Sequence, residues 1–172
     1  MKPVFTLIAA VTIDGKIARN SKHFTDWTSK EDKDFLHRML DKCDAVIVGR
    51  KTYETAKGPL SKRNCVVFTR RHGSVKTERS GLVFLDPFKT DLSGFLRKKA
   101  LKKICVLGGE KTYSYFLAKG LVDEIYLTIE PVVFGFGLGL FGMKVATRRF
   151  RLVSARRLNR KGALLLHYKK IS

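Results

Sequence analysis

The sequence predicts an α/β domain: a mixed, mostly parallel sheet of about eight strands, flanked by helices and ending in an antiparallel hairpin. Three features of the 172 residues carry that expectation. Short apolar runs rich in β-branched residues alternate with stretches of helical periodicity. Several runs are apolar throughout, such as Val46-Ile47-Val48 and Ile104-Cys105-Val106-Leu107, as strands covered on both faces require. The last two runs are separated by a turn containing Asn159, Lys161 and Gly162, which makes them a hairpin.

Taken in order, strands are expected at residues 4–11, 45–48, 65–69, 82–85, 103–107, 124–133, 150–156 and 163–169. Helices are expected at 29–42, 52–57, 92–102 and 111–119. The first helix places Phe35, Leu36, Met39, Leu40 and Cys43 on one stripe, with Ser29 able to cap it and Glu31 and Asp32 in its first turn. The last ends at Gly120, a good stop. Length and the lack of any linker predict one domain over residues 1–172. No apolar run reaches the roughly 18 residues of a membrane span, so a membrane role is not expected. The apolar opening is short and runs into Asp14 and Lys16, which favours a buried strand over a signal peptide.

Thirty-five Lys and Arg against fifteen Asp and Glu leave a net charge of +20. Such a chain attracts polyanions, but the cations are scattered and no nucleic-acid recognition motif accompanies them. Cys43, Cys65 and Cys105 lack metal-ligand spacing, and free buried thiols in a cytoplasmic protein are expected.

Four stretches carry chemistry. Gly49-Arg50-Lys51-Thr52 follows an apolar strand and opens a helix: glycine admits close backbone approach, and the helix start and cations suit phosphate. Gly108-Gly109-Glu110-Lys111-Thr112 repeats that architecture. Two such ends at the carboxyl edge of one sheet suggest a single extended cofactor with phosphates. Thr69-Arg70-Arg71 ends a third strand in a hydroxyl and two cations, which suits a 2′-phosphate and so NADPH. The bland alternative for all three is a turn with solvated cations. Trp27 and Asp32 form the fourth: a carboxylate beside Phe35 and Leu36 should resist ionisation and suits proton supply. Here the alternatives are an ordinary helix-capping aspartate, or Glu31 in its place.

These pieces together resemble the dihydrofolate reductase superfamily, which includes dihydrofolate reductase and the reductase of riboflavin biosynthesis. The resemblance runs from Thr6 to about Tyr168 and implies a three-layer fold. The segment from Ile8 to Ala18 resembles the first strand and nicotinamide loop, and Gly49 to Thr52 the Gly-Arg-x-Thr motif. Pro59-Leu60 through Arg63 resembles the segment whose arginine holds a glutamate tail, and Tyr126-Leu127-Thr128 the strand whose threonine bonds the acid. Leu121 to Ile125, Pro131, Gly135-x-Gly137 and Leu140-Phe141 resemble the riboflavin-type reductases. However, Leu40 and Ala56 to Gly58 stand where those enzymes carry an arginine and an acidic residue.

The resemblance implies an NADPH-dependent reductase of a small molecule, with 7,8-dihydrofolate as the expected substrate. A ribosylamino-pyrimidine phosphate is the alternative, and a nucleic-acid binder on a decayed reductase fold a third. Arg50, Lys51, Thr52, Thr69, Arg70 and Arg71 would hold the adenosine phosphates. Gly49, Gly108 and Gly109, with the N–H groups of Glu110, Lys111 and Thr112, would take the pyrophosphate. Main chain near Ala10 and Ile17 would position the nicotinamide. Asp32, braced by Thr128, would anchor the substrate ring, with Trp27, Phe35 and Leu36 around it and Arg63 on the tail. Residues 14–24 would form a lid. The riboflavin-like segment also implies a homodimer, and the absence of a preceding zinc deaminase implies a stand-alone reductase.

Overall fold

The computed structural model describes residues 2–23, 25–142 and 145–171. Phe24, the last residue of the expected lid, lies outside the described residues. In chain order the elements are β1 (Val4–Thr12), β2 (Lys16–Ala18), α1 (Lys30–Leu40), β3 (Ala45–Gly49), α2 (Arg50–Thr55), α3 (Lys57–Leu60), β4 (Cys65–Phe68), β5 (Val75–Arg79), β6 (Leu82–Leu85), α4 (Leu92–Lys98), β7 (Lys103–Val106), α5 (Glu110–Ala118), β8 (Glu124–Glu130), β9 (Leu138–Gly139), β10 (Phe150–Arg157) and β11 (Leu164–Lys170).

Side-chain alternation sorts the core into two layers around one sheet. Phe5, Leu7, Ala45, Ile47, Val66, Phe68, Ile104 and Val106 pack with Leu92 and Leu96 of α4 and Phe116 and Leu117 of α5. Their neighbours Ile8, Val46, Val48, Cys65, Val67 and Cys105 pack with Phe35 and Leu40 of α1, Tyr53 of α2 and Leu60 of α3. Both faces are covered, so the central strands read as unbroken apolar runs. Phe116 and Leu96 have no exposed surface, and burial of that extent stabilises by about 1.5–3 kcal/mol per side chain.

The main sheet has nine strands in the order β10-β11-β8-β1-β7-β3-β4-β6-β5. The pairs from β8 through β1, β7, β3 and β4 to β6 are parallel. The pairs β5–β6, β8–β11 and β10–β11 are antiparallel. This is the mixed, mostly parallel sheet with a closing hairpin that the sequence predicts.

Several boundaries are corrected. The strand expected at 124–133 ends at Glu130, before Pro131, which cannot donate to the ladder. The helix expected at 92–102 ends at Lys98. The 52–57 helix is two short helices, α2 and α3, meeting at Ala56. Three strands escaped the apolar pattern. β5 is exposed at every residue, an edge strand with no buried face to mark it, while β2 and β9 are short and pair with each other outside the main sheet.

The cysteine expectation is also corrected. Cys43 and Cys105 form a disulfide, with their Cα atoms 6.1 Å apart across 62 residues of sequence. β7 runs beneath the turn that follows α1, a proximity that spacing does not reveal. Cys65 is a free, buried thiol, and burial pushes its pKa up to about 11.

The cations are less scattered than the sequence suggests. Arg148, Arg149, Arg151, Arg156, Arg157, Arg160 and Lys161 gather on and around the edge strand β10, and no acid stands between 148 and 161. No helix among the described residues is long and apolar enough to cross a membrane.

Candidate active site

Parallel pairing brings the carboxyl ends of β1, β3, β4, β7 and β8 to one edge, where ligands of such sheets bind. Past the last paired residues of β3 and β7 the two chains stay joined. Leu107 N–H donates to the Ile47 carbonyl at 3.0 Å and Gly49 N–H to the Gly108 carbonyl at 2.6 Å. Glycine is needed for this closeness. A Cβ on Gly49 would lie 2.8 Å from Thr112 Oγ1, and one on Gly109 would lie 3.2 Å from Thr52 Oγ1. Gly108 has φ +88° and a Cβ there would lie 2.7 Å from the Tyr113 ring. The Gly108–Gly109 peptide is cis.

The start of α5 follows directly. Glu110 and Lys111 N–H have no backbone partner among the described residues, whereas Thr112 N–H already donates to the Gly109 carbonyl at 2.9 Å. Of the three amides expected to take a pyrophosphate, the one at Thr112 thus already has an acceptor within the turn. The Glu110 carboxylate is turned away, accepting the Gly139 N–H at 3.0 Å. A bare glycine cradle beside unpartnered amides at the positive end of a nine-residue helix fits a pyrophosphate.

The expected phosphate-binding cations are disposed unevenly. Arg50 turns along α2 to pair with Glu54 at 2.7 Å. Lys51 Nζ donates to Ser21 Oγ at 3.2 Å. Thr69 is buried at the end of β4, and its hydroxyl accepts the Arg71 N–H at 3.3 Å. Arg70 and Arg71 are exposed beside it.

On the opposite side of the edge, β1 and β8 bring Ala10 into register with Thr128. Asp32 stands in the first turn of α1, 8% exposed, with its N–H donating to Ser29 Oγ at 3.3 Å. Burial pushes its carboxyl above the ordinary range. The adjacent Thr128 and Thr28 hydroxyls oppose the rise, and the nearby Glu130 adds to it. Glu31 is exposed and held below its ordinary range by its own backbone N–H and by Asn159. Of the two candidate acids, Asp32 is therefore the one enclosed beside Thr128.

Trp27 sits in a single 3₁₀ turn, residues Thr25–Trp27, with its ring centroid 5.1 Å from that of Phe134 in an edge-on arrangement. Its indole N–H is buried and has no hydrogen-bond partner among the described residues. Arg19 lies over the same Phe134 ring at 4.3 Å. Phe35 is buried, its ring 5.4 Å from that of Tyr126, and Leu36 packs on the same cluster and is partly exposed. Ile17 belongs to β2 and packs against the α4–α5 layer. Arg63 Nη2 donates to Asp41 Oδ1 at 2.8 Å, at the C-cap of α1. Asp41 stands nine positions beyond Asp32, about 14 Å along the helix axis, and the guanidinium is already partnered.

Three contributors escaped sequence reading. Glu130 is a buried acid at the end of β8. Tyr113 is buried and donates its hydroxyl to the Ile8 carbonyl at 2.6 Å, with burial pushing its pKa far up. Asp14 accepts the N–H groups of Phe134 and Gly135 at 3.1 and 2.9 Å and the Thr12 hydroxyl at 2.6 Å. Its carboxyl is held below the ordinary range chiefly by Thr12. With the β2–β9 pair, these bonds fasten much of the expected lid to residues 134–139.

The sheet order and the glycine-lined strand ends agree with the dihydrofolate reductase superfamily, to which the matches below assign the chain. Within it, residues 3–164 match the RibD C-terminal domain model, and the chain belongs to that family. It is 28% identical over 170 residues to the uncharacterized protein YwjB of Bacillus subtilis, covering 94% of this chain and 95% of that one. It is 30% identical over 124 residues to dihydrofolate reductase of Haemophilus influenzae, covering 72% and 70%. A pyrimidine reductase-like protein from Corynebacterium diphtheriae superposes with a TM-score of 0.77 at 18% identity, covering 99% of this chain and 92% of that one. The family is one of oxidoreductases of the riboflavin-biosynthesis type. The expectation that dihydrofolate is the first choice is thereby corrected in favour of the riboflavin-type alternative. The segment from Leu121 to Phe141 carried that signal.

Proposed function

We propose that the protein is an NADPH-dependent reductase of an amino-pyrimidine bearing a ribose phosphate, the substrate class of riboflavin-type reductases. The observation that carries this reading is the family match over 3–164. The glycine-lined cradle at the ends of β3 and β7 and the enclosed Asp32 support it.

When bound, the cofactor supplies a hydride to the carbon of a protonated imine. The cradle of Gly49, Gly108 and Gly109 and the amides of Glu110 and Lys111 hold its pyrophosphate. Thr69, Arg70 and Arg71 meet the 2′-phosphate, and main chain at Ala10 and Ile17 orients the nicotinamide. Asp32 accepts ring and amino N–H groups of the substrate, and burial, which raises its pKa above that of a free carboxyl, suits it to hold and pass a proton. Thr128 fixes its carboxyl, and Trp27 offers its unpartnered indole N–H to a substrate acceptor.

The second reading is reduction of 7,8-dihydrofolate, favoured by the Trp27–Asp32 pair and the Haemophilus relative. The Arg63–Asp41 ion pair weighs against it, since the glutamate tail would compete for that guanidinium. The deciding experiment follows NADPH absorbance with each substrate in turn. Oxidation with the pyrimidine phosphate and none with dihydrofolate is expected. Turnover of dihydrofolate alone, inhibited by methotrexate, would reverse the order.

A further inference from the structure

Ser29-x-x-Asp32 has the spacing of a capping box. In that motif the N-cap hydroxyl accepts the N–H three residues on, and the acid there reaches back for the N-cap N–H. Half of the motif is present, since Asp32 N–H donates to Ser29 Oγ at 3.3 Å. The other half is made by a different residue. Ser29 N–H donates to Glu130 Oε1 at 2.8 Å, and the Ser29 hydroxyl donates to the same oxygen at 2.6 Å. Glu130 comes from β8, 101 residues away in sequence, and is 4% exposed.

Among the described residues, no Lys, Arg or His forms an ion pair with Glu130. A buried carboxylate without a counter-ion is unfavourable unless hydrogen bonds hold it. Two short bonds and the positive end of α1 hold this one. Because Glu130 occupies the N-cap amide, the Asp32 carboxyl has no capping bond to make. Its neighbours are instead the hydroxyl groups of Thr128 and Thr28, which lower its pKa against the effect of burial.

We propose that Glu130 is a positioning residue: it relieves Asp32 of helix capping and so leaves that carboxyl facing Thr128 and the substrate. The inference rests on Asp32 being the acid that meets the substrate. The groups facing Asp32 are Thr28 ahead of α1, Lys33 on α1, Thr128 and Glu130 on β8, and Tyr113 on α5. Among them Glu130 supplies the negative charge, so it also favours the protonated form of Asp32.

The test compares Glu130→Gln, which keeps an acceptor oxygen and loses the charge, with Glu130→Ala, which loses both. Asp32→Asn identifies the Asp32 signal in a carbon-13 carboxyl titration, and amide exchange at Ser29 reports the capping bond. With Glu130→Gln the Ser29 amide stays protected and the Asp32 midpoint moves to lower pH. With Glu130→Ala the Asp32 carboxyl takes the Ser29 amide, and kcat falls about tenfold to a hundredfold while NADPH affinity stays. An Asp32 midpoint that stays put in both variants overturns the proposal. Should Glu130→Ala not fold, Glu130→Asp, whose shorter side chain draws the carboxylate back from the Ser29 amide, takes its place with the same two readouts. If neither pyrimidine nor dihydrofolate is turned over, the functional reading fails, and the titration still decides the role of Glu130.

Discussion

The main-chain N–H of Gly49 donates to the carbonyl of Gly108 at 2.6 Å, joining two loops that stand 59 residues apart in the chain. The bond lies past the last paired residues of β3 and β7, and no side chain fits between it and Thr112. Gly49→Ala places a methyl 2.8 Å from Thr112 Oγ1. Overpacking of this kind costs about 1–3 kcal/mol. Chemical denaturation should show that loss, and NADPH titration a weaker affinity; unchanged values for both would mean the cradle yields freely.

Asp32→Asn should cut turnover sharply at neutral pH while NADPH binding survives. Stability should move the other way. The folded-state pKa of Asp32 is raised above its ordinary 3.8, so Asp32 binds its proton more tightly folded than unfolded. Its favourable contribution is complete below pH 3.8 and is lost as pH rises through the folded value. The variant should therefore melt higher than the parent at pH 7, with the gap closing in acid. A lower melting temperature at pH 7 would contradict the burial argument.

Charge reversal at Arg70 or Arg71 removes an interaction that NADPH has and NADH lacks. A charge-assisted contact to phosphate is worth about 1.5–3 kcal/mol, so NADPH should weaken by about tenfold or more and NADH little. Equal losses for both nucleotides would show that these arginines miss the 2′-phosphate.

Asp14→Ala should release residues 134–135, seen as faster amide exchange at Phe134 and Gly135. The pKa of Asp14 is lowered, chiefly by Thr12, so its stabilising effect is present above pH 3.8 and fades as pH falls through the folded value. Thermal melts of parent and variant should converge in acid; a constant gap would point to packing instead of charge.

Tyr113→Phe leaves the Ile8 carbonyl without its 2.6 Å hydroxyl partner in a buried place. Such a loss costs about 1–3 kcal/mol. Denaturant midpoints report it directly, and an unchanged midpoint would mean that water replaces the phenol.

What was legible in the sequence was whatever repeats locally. Apolar runs gave the central strands because both faces of β3 and β7 are covered, and Ser29 marked the start of α1. β5 was invisible because an exposed edge strand has no periodic apolar side. Contacts across long separations stayed hidden: Cys43 with Cys105, Arg63 with Asp41, and Ser29 with Glu130. The choice between Glu31 and Asp32, adjacent acids in one helical turn, turned on which one α1 rotates toward β8.

β2 and β9 make a ribbon of their own beside the main sheet, with Lys16 paired to Gly139 and Ala18 to Leu138. Two stretches more than a hundred residues apart are thereby tied together, so displacing either one alone would break the backbone pairing between them, whereas the two can shift as a single ribbon with that pairing intact.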